Sequence, residues 1–204
     1  MPDMRNMPPL HVVTQESLRL SIARDENTTA HDDDFSGNGS IYARTRGLCL
    51  STEHILTRVV RHPNFSWQNG FTFMETPIQV KCDIRVSAII AVNCLPRLLF
   101  GSILAHEMTH AHFRLSTRGY PQRLPQKVEE GLCQLVACLW TESEAKNTDD
   151  IDQIALAACI SHQIRNDPSE IYGDGARAAL ARYEKFGVRD VFEHVRQCGV
   201  LPEA

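Results

Sequence analysis

No apolar run in the 204-residue chain approaches the roughly 20 residues that a helix needs to cross a bilayer, so a helical membrane span is excluded. Positive charge is scarce: 21 Lys and Arg against 25 Asp and Glu leave a formal net charge of -4. A sequence pI near 6.1 gives no basic footprint for nucleic acid. The segment Met1-Pro2-Asp3-Met4-Arg5-Asn6 lacks the apolar core of a secretory signal, and export by that route is not expected. The seven cysteines are odd in number, and no two form Cys-x-x-Cys. Most stand among apolar residues, which predicts reduced, buried thiols in a cytoplasmic or nuclear setting rather than disulfides or a second metal site. Internal repeats are absent. What is present, 43% hydrophobic and 23% charged residues, suits one compact soluble domain over residues 1–204.

The pattern changes character once. From Leu10 to about Asn93 the signals are extended and turn-rich: Leu10 to Val13, Ile41 to Arg44, Phe71 to Met74, and the β-branched run Val86 to Val92. Between them lie the acidic stretch Asn27 to Gly39, expected as a mobile surface loop, and the stretch His62 to Gly70. After Pro96 the period is helical, over about Arg97 to Leu115, Pro125 to Ala145, Asp150 to Arg165, Asp174 to Phe186 and Val188 to Cys198. Gly119 offers a stop for the first helix, Pro121 and Pro125 break the chain after it, and Gly187 separates the last two. The predicted fold class is α+β, a mixed N-terminal sheet over about 10–95 followed by a helical part over about 96–200.

The chemistry concentrates at His106-Glu107-Met108-Thr109-His110, a His-Glu-x-x-His pattern inside good helix formers. Residues four apart share a helix face, so His106 and His110 can converge on one zinc ion. Glu107 falls beside them, placed to take a proton from water. Catalytic zinc usually takes three protein groups and keeps one open position. A helix returning antiparallel after Pro125 would bring Glu129 or Glu130 back to the histidines, and periodicity does not separate two adjacent carboxylates.

Thr45 to Ser51 (Thr-Arg-Gly-Leu-Cys-Leu-Ser), Leu95-Pro96-Arg97-Leu98-Leu99 with Gly101 to Met108, Val128-Glu129-Glu130-Gly131 with Cys133-Gln134, and Tyr172-Gly173-Asp174-Gly175 follow one another in that order. In that order they resemble the peptidase domain of the plant DA-one family. More broadly the chain resembles the gluzincin zinc peptidases, whose third ligand is a glutamate on the next helix, often directly before a glycine. The resemblance makes Glu130, before Gly131, the third ligand with His106 and His110. It implies a zincin-like metallopeptidase fold in which a sheet edge lines up an extended substrate. It further implies an intracellular, ubiquitin-activated zinc peptidase acting on regulatory proteins, with protein or peptide substrates and ubiquitin or the ubiquitylation machinery as partners. The family's ubiquitin-interacting motifs and LIM module are not written in these residues, so regulation by ubiquitin is not carried over. Thr109, His112 and Ala176 depart from the family pattern without touching a proposed ligand or the base.

Gluzincins commonly supply a tyrosine or histidine from the C-terminal helices to stabilise the oxyanion, and Tyr172 and His162 are the two candidates. For Tyr172 the competing reading is a packed ring beside a glycine turn. Gln134, four residues after Glu130, is expected near the ligand carboxylate or on an ordinary helix surface. Glu129 is expected on a ligand histidine's free nitrogen, on a substrate amine, or as a solvated helix-start carboxylate. His112 should face away from His110, and Arg97 is explained by capping or an ion pair. Two alternatives to a peptidase remain: a catalytically retired gluzincin-like protein-binding module, and a purely structural zinc.

Overall fold

The computed structural model describes residues 8–18, 46–66, 70–116 and 124–203. The expected strand at Ile41 to Arg44, the acidic stretch Asn27 to Gly39 and the helix stop at Gly119 lie outside them. The architecture is α+β: a small N-terminal sheet, then helices.

Strand β1 (Leu10–Val13) runs parallel to the end of β3 (Gly70–Val92), pairing Leu10 with Ile89 through Val13 with Val92. On its other side β3 pairs antiparallel with β2 (Gly47–Ser66), from Gly47 opposite Ala91 out to Ser66 opposite Gly70. The order is β1-β3-β2. The residues from His62 to Ser66, read from sequence as part of a stretch between extended segments, therefore belong to β2. Pairing context overrides weak local propensity there, and Pro63 is tolerated because β2 is an edge strand among the described residues.

Alternation along β3 sends side chains to both faces. Ile90 and Val92 pack with Leu18 on one face, while Ile89 joins Cys49 and Ala111 on the other. The second face rests on helix α1 (Arg97–Ser116). Helix α2 (Gln126–Lys146) runs antiparallel to α1, because Arg97 meets Glu144 at one end (3.2 Å) and His110 meets Glu129 at the other (2.7 Å). Helix α3 (Ile151–Asn166) is capped by Asp150, whose carboxylate accepts from the amides of Asp152 (3.0 Å) and Gln153 (3.4 Å). Helix α4 (Gly175–Cys198) kinks at Gly187, whose φ of 79° is non-helical, at the break read from the sequence. Phe113, Leu132, Leu135, Leu180, Val191 and Val195 form the main core between α1, α2 and α4. Among the described residues no helix is long and apolar enough to cross a membrane.

Candidate metal centre

The helical spacing of His106 and His110 brings their Nε2 atoms to 3.2 Å, with the rings edge to face at 5.0 Å between centroids. From α2, Glu130 sets Oε2 3.2 Å from His106 Nε2 and Oε1 3.5 Å from His110 Nε2. Two donors each about 2.0–2.1 Å from a tetrahedral zinc stand about 3.3–3.4 Å apart, and the three separations here bracket that edge. Glu130 Oε2 is also buried with no hydrogen-bond partner, although it lies 3.2 Å from an imidazole nitrogen. A buried carboxylate oxygen left so is costly unless a cation takes the place of a donor. The donor set fits zinc: two neutral imidazole nitrogens and one carboxylate.

Glu129 turns the other way. Its Oε1 accepts from His110 Nδ1 at 2.7 Å, which leaves the Nε2 lone pair free to bind a metal. Arg114, four residues after His110 on α1, brings Nε to 3.3 Å from the same oxygen. Its other arm donates from Nη1 to the Cys49 carbonyl (2.8 Å) and Ser51 Oγ (3.0 Å) on β2. Burial pushes the Glu130 carboxyl up, but its contacts with His106 and His110 outweigh this and hold it well below the usual carboxylate range. Glu129 is lowered by the same opposition, burial against His110 and Arg114. For His110, burial works downward and is overcome by Cys133, Glu129 and Glu130, which favour the protonated ring when no metal is bound.

Glu107 is buried at 8% exposure, directly beside the histidine pair. Burial raises its carboxyl above the ordinary range, against the lowering influence of His106 and His110. Its position depends on Gly47 at the start of β2: a Cβ there would lie 2.6 Å from Ile103 Cγ2 and 2.7 Å from Glu107 Oε1. The motif around Gly47 thus has a physical reading. Gly47 admits the carboxylate, Cys49 packs on Ala111, and Ser51 meets Arg114, all on the face of β2 toward α1.

Tyr172 sits in a single π-type turn, Glu170–Asp174, where the Asp174 amide bonds back five residues to the Ser169 carbonyl (3.0 Å). Ser169 Oγ caps the turn by accepting from the amides of Tyr172 (3.0 Å) and Gly173 (3.2 Å). The turn reaches the site because α2 and α4 touch backbone to backbone: a Cβ on Gly131 would lie 2.4 Å from the Gly175 carbonyl oxygen. Burial and the negative charges of Glu130 and Glu107 push the Tyr172 hydroxyl up to about 12. Tyr172 as a whole is 39% exposed at the rim of the site, and its hydroxyl stays protonated at neutral pH. His162 lies exposed on α3, its Nδ1 3.1 Å from Asn166 Nδ2. His112 is exposed beside Phe113 and Phe192, and Arg97 pairs with Glu144 at the far end of α1.

One member of the cluster was not singled out from sequence. Cys133, wholly buried, places Sγ within 4.8 Å of the donor nitrogens of His106 and His110. Burial pushes its thiol up to about 12. Its apolar neighbours predicted an inert core thiol, with Gln134 the expected neighbour of Glu130. The usable signal was its spacing, three residues after Glu130, which puts both on one helix face.

A family model described as DA1-like (Protein DA1) matches residues 3–159 and 146–198. The chain is 36% identical over 95% of its length to Protein DA1-related 1 of Arabidopsis thaliana, and 35% identical over 93% to Protein DA1 of the same plant. It is 36% identical over 78% of its length to the LIM domain-containing protein HDR3 of Oryza sativa subsp. japonica. It spans 39%, 39% and 36% of those three proteins respectively. No solved structure matches it.

Proposed function

The chain belongs to the DA1-like family, and on that premise we propose that it is a zinc-dependent peptidase that hydrolyses peptide bonds in intracellular protein substrates. The observation that carries this reading is the conjunction of three donors at tetrahedral spacing, an orphaned buried oxygen on Glu130, and a buried carboxylate, Glu107, beside them. His106, His110 and Glu130 would hold the ion. Zinc bound there supplies Lewis acidity toward a water and toward the scissile carbonyl. Glu107 takes the proton from the attacking water and delivers it to the leaving amine. Its burial beside His106 places it for both tasks. Tyr172, kept protonated, donates to the oxyanion.

The outer edge of β2 near Gly47 pairs with an extended substrate strand and lines its scissile bond up with Glu107. Substrates are proteins or peptides, ubiquitin or the ubiquitylation machinery is a partner through the family relation, and the site of action is cytoplasmic or nuclear. No nucleic acid or membrane enters the reading. The test is metal content and cleavage in parallel. Wild type and Glu107→Gln should each hold about one zinc per chain, and only wild type should cleave, with the variant lower by about 10²–10⁴-fold. Equal cleavage by both sinks the mechanism.

Cys133 favours a second reading. Were its sulfur to join the two histidines and Glu130, four protein donors would close the site, and the chain would be a catalytically retired binding module. A cobalt-loaded protein separates the two, because only the closed site would show a thiolate-to-cobalt charge-transfer band that Cys133→Ser removes.

A further inference from the structure

We infer that Arg114 is a positioning residue that ties the edge of β2 to the metal-binding geometry of His110, an inference that rests on the zinc reading above. One guanidinium joins three elements. From the last turn of α1 it donates to the Cys49 carbonyl and Ser51 Oγ of β2 at 2.8 and 3.0 Å. On its other side it lies 3.3 Å from Glu129 Oε1 of α2, the oxygen that receives His110 Nδ1 at 2.7 Å. Glu129 therefore cannot shift without disturbing both the arginine and the imidazole.

The sheet end of this relay is specific. The Arg46 carbonyl accepts from the Val92 amide at 2.9 Å, so it points inward to β3. In an antiparallel ladder the alternate residues, Gly47 and Cys49, turn their backbone groups to the outer edge. Among the described residues β2 pairs only with β3. Arg114 thus holds the Cys49 carbonyl of the same edge that begins beside Glu107 at Gly47. Charge alone does not make this bridge. Arginine's planar fork can serve a carbonyl on one side and a carboxylate on the other, whereas a lysine ammonium is a single point. The consequence is that edge strand, base and ligand histidine keep register as one unit.

The test is a double-mutant cycle on zinc affinity, read by chelator competition with Arg114→Lys, Glu129→Gln and the double variant. Each single variant should lose about 10–100-fold in affinity, the range typical of groups that orient a ligand histidine. The double should be no weaker than the weaker single, and the visible spectrum of the cobalt-loaded protein should shift alike in all three. Arg114→Met should match Arg114→Lys. Wild-type affinity and spectrum in Arg114→Lys, or strictly additive losses, overturn the relay. His106→Ala keeps this failure apart from failure of the zinc reading. If zinc affinity does not depend on His106, both readings fall; if it does while the cycle is additive, the relay alone falls.

Discussion

Helices α1 and α2 face each other across buried surfaces along their length, whereas among the described side chains of the β2–β3 ribbon burial stops a few residues from its base. Leu98, Phe113, Leu132, Leu135 and Cys138 are all buried in the helix pair. Among the described side chains of the ribbon, burial is confined to Cys49 and Ala88 to Val92, while Val59 and Met74 farther out are 54% and 58% exposed. A two-stranded ribbon without a covered face contributes little stability of its own. The helix pair therefore carries the proposed donors and the proposed base, and among the described side chains the ribbon meets them through the segment from Gly47 to Ser51.

The comparison breaks first if the helix pair does not own the chemistry. His106→Ala should abolish both zinc binding and cleavage while α1 and α2 remain folded by circular dichroism. Retained zinc would move the metal elsewhere. Tyr172→Phe should lower kcat by about 10²–10³-fold with KM little changed, the scale of one lost oxyanion donor. A change confined to KM would make Tyr172 a binding group. The ribbon's own share is read from Gly47→Ala. Its added methyl would press on Glu107 Oε1 and Ile103 and should cost about 10–100-fold in kcat with zinc content unchanged, as displacement of a reacting group by about an ångström does. Full activity would show that the sheet merely lies near the base. The smallest effect should come from shortening the ribbon beyond Leu56 and Lys81 with a tight turn. Zinc content should stay at the wild-type level and the Tm nearly so, and a large fall in Tm would give the outer ribbon a structural weight that the exposure of Val59 and Met74 argues against.

How much of this was written in the sequence depends on the range of the forces involved. Helix ends were legible to within a residue or two: Arg97 to Leu115 was expected and Arg97–Ser116 found. Pro96, Pro125, Asp150 and Gly187 act locally. The His106, Glu107 and His110 constellation was legible for the same reason, a spacing within one helix. Of the ribbon, Phe71 to Met74 and Val86 to Val92 were legible as extended and lie in β3, but its full length was not, because register comes from pairing between strands, and Pro63 and Asn64 read locally as a break. Cys133 looked like core because it is core, and only the fold puts its sulfur beside the histidines. Arg114 and Gly47 carried no local signal, since each acts on a partner more than 50 residues away in the chain.

The antiparallel α1–α2 pair behaves as a pair of tongs. Its far end is clamped by Arg97 on Glu144 and by Trp140 lying across Gly101, where an added Cβ would come within 2.0 Å of the indole. The jaws at the near end hold two imidazoles and a carboxylate whose buried oxygen has no donor. A cation bound as proposed would relieve that mismatch, and without one the unpartnered oxygen stays at the tip while the far end keeps its contacts. Loss of the ion should therefore be felt as local fraying that fades along α1 toward Arg97, and a reloaded chain has only the tip to close.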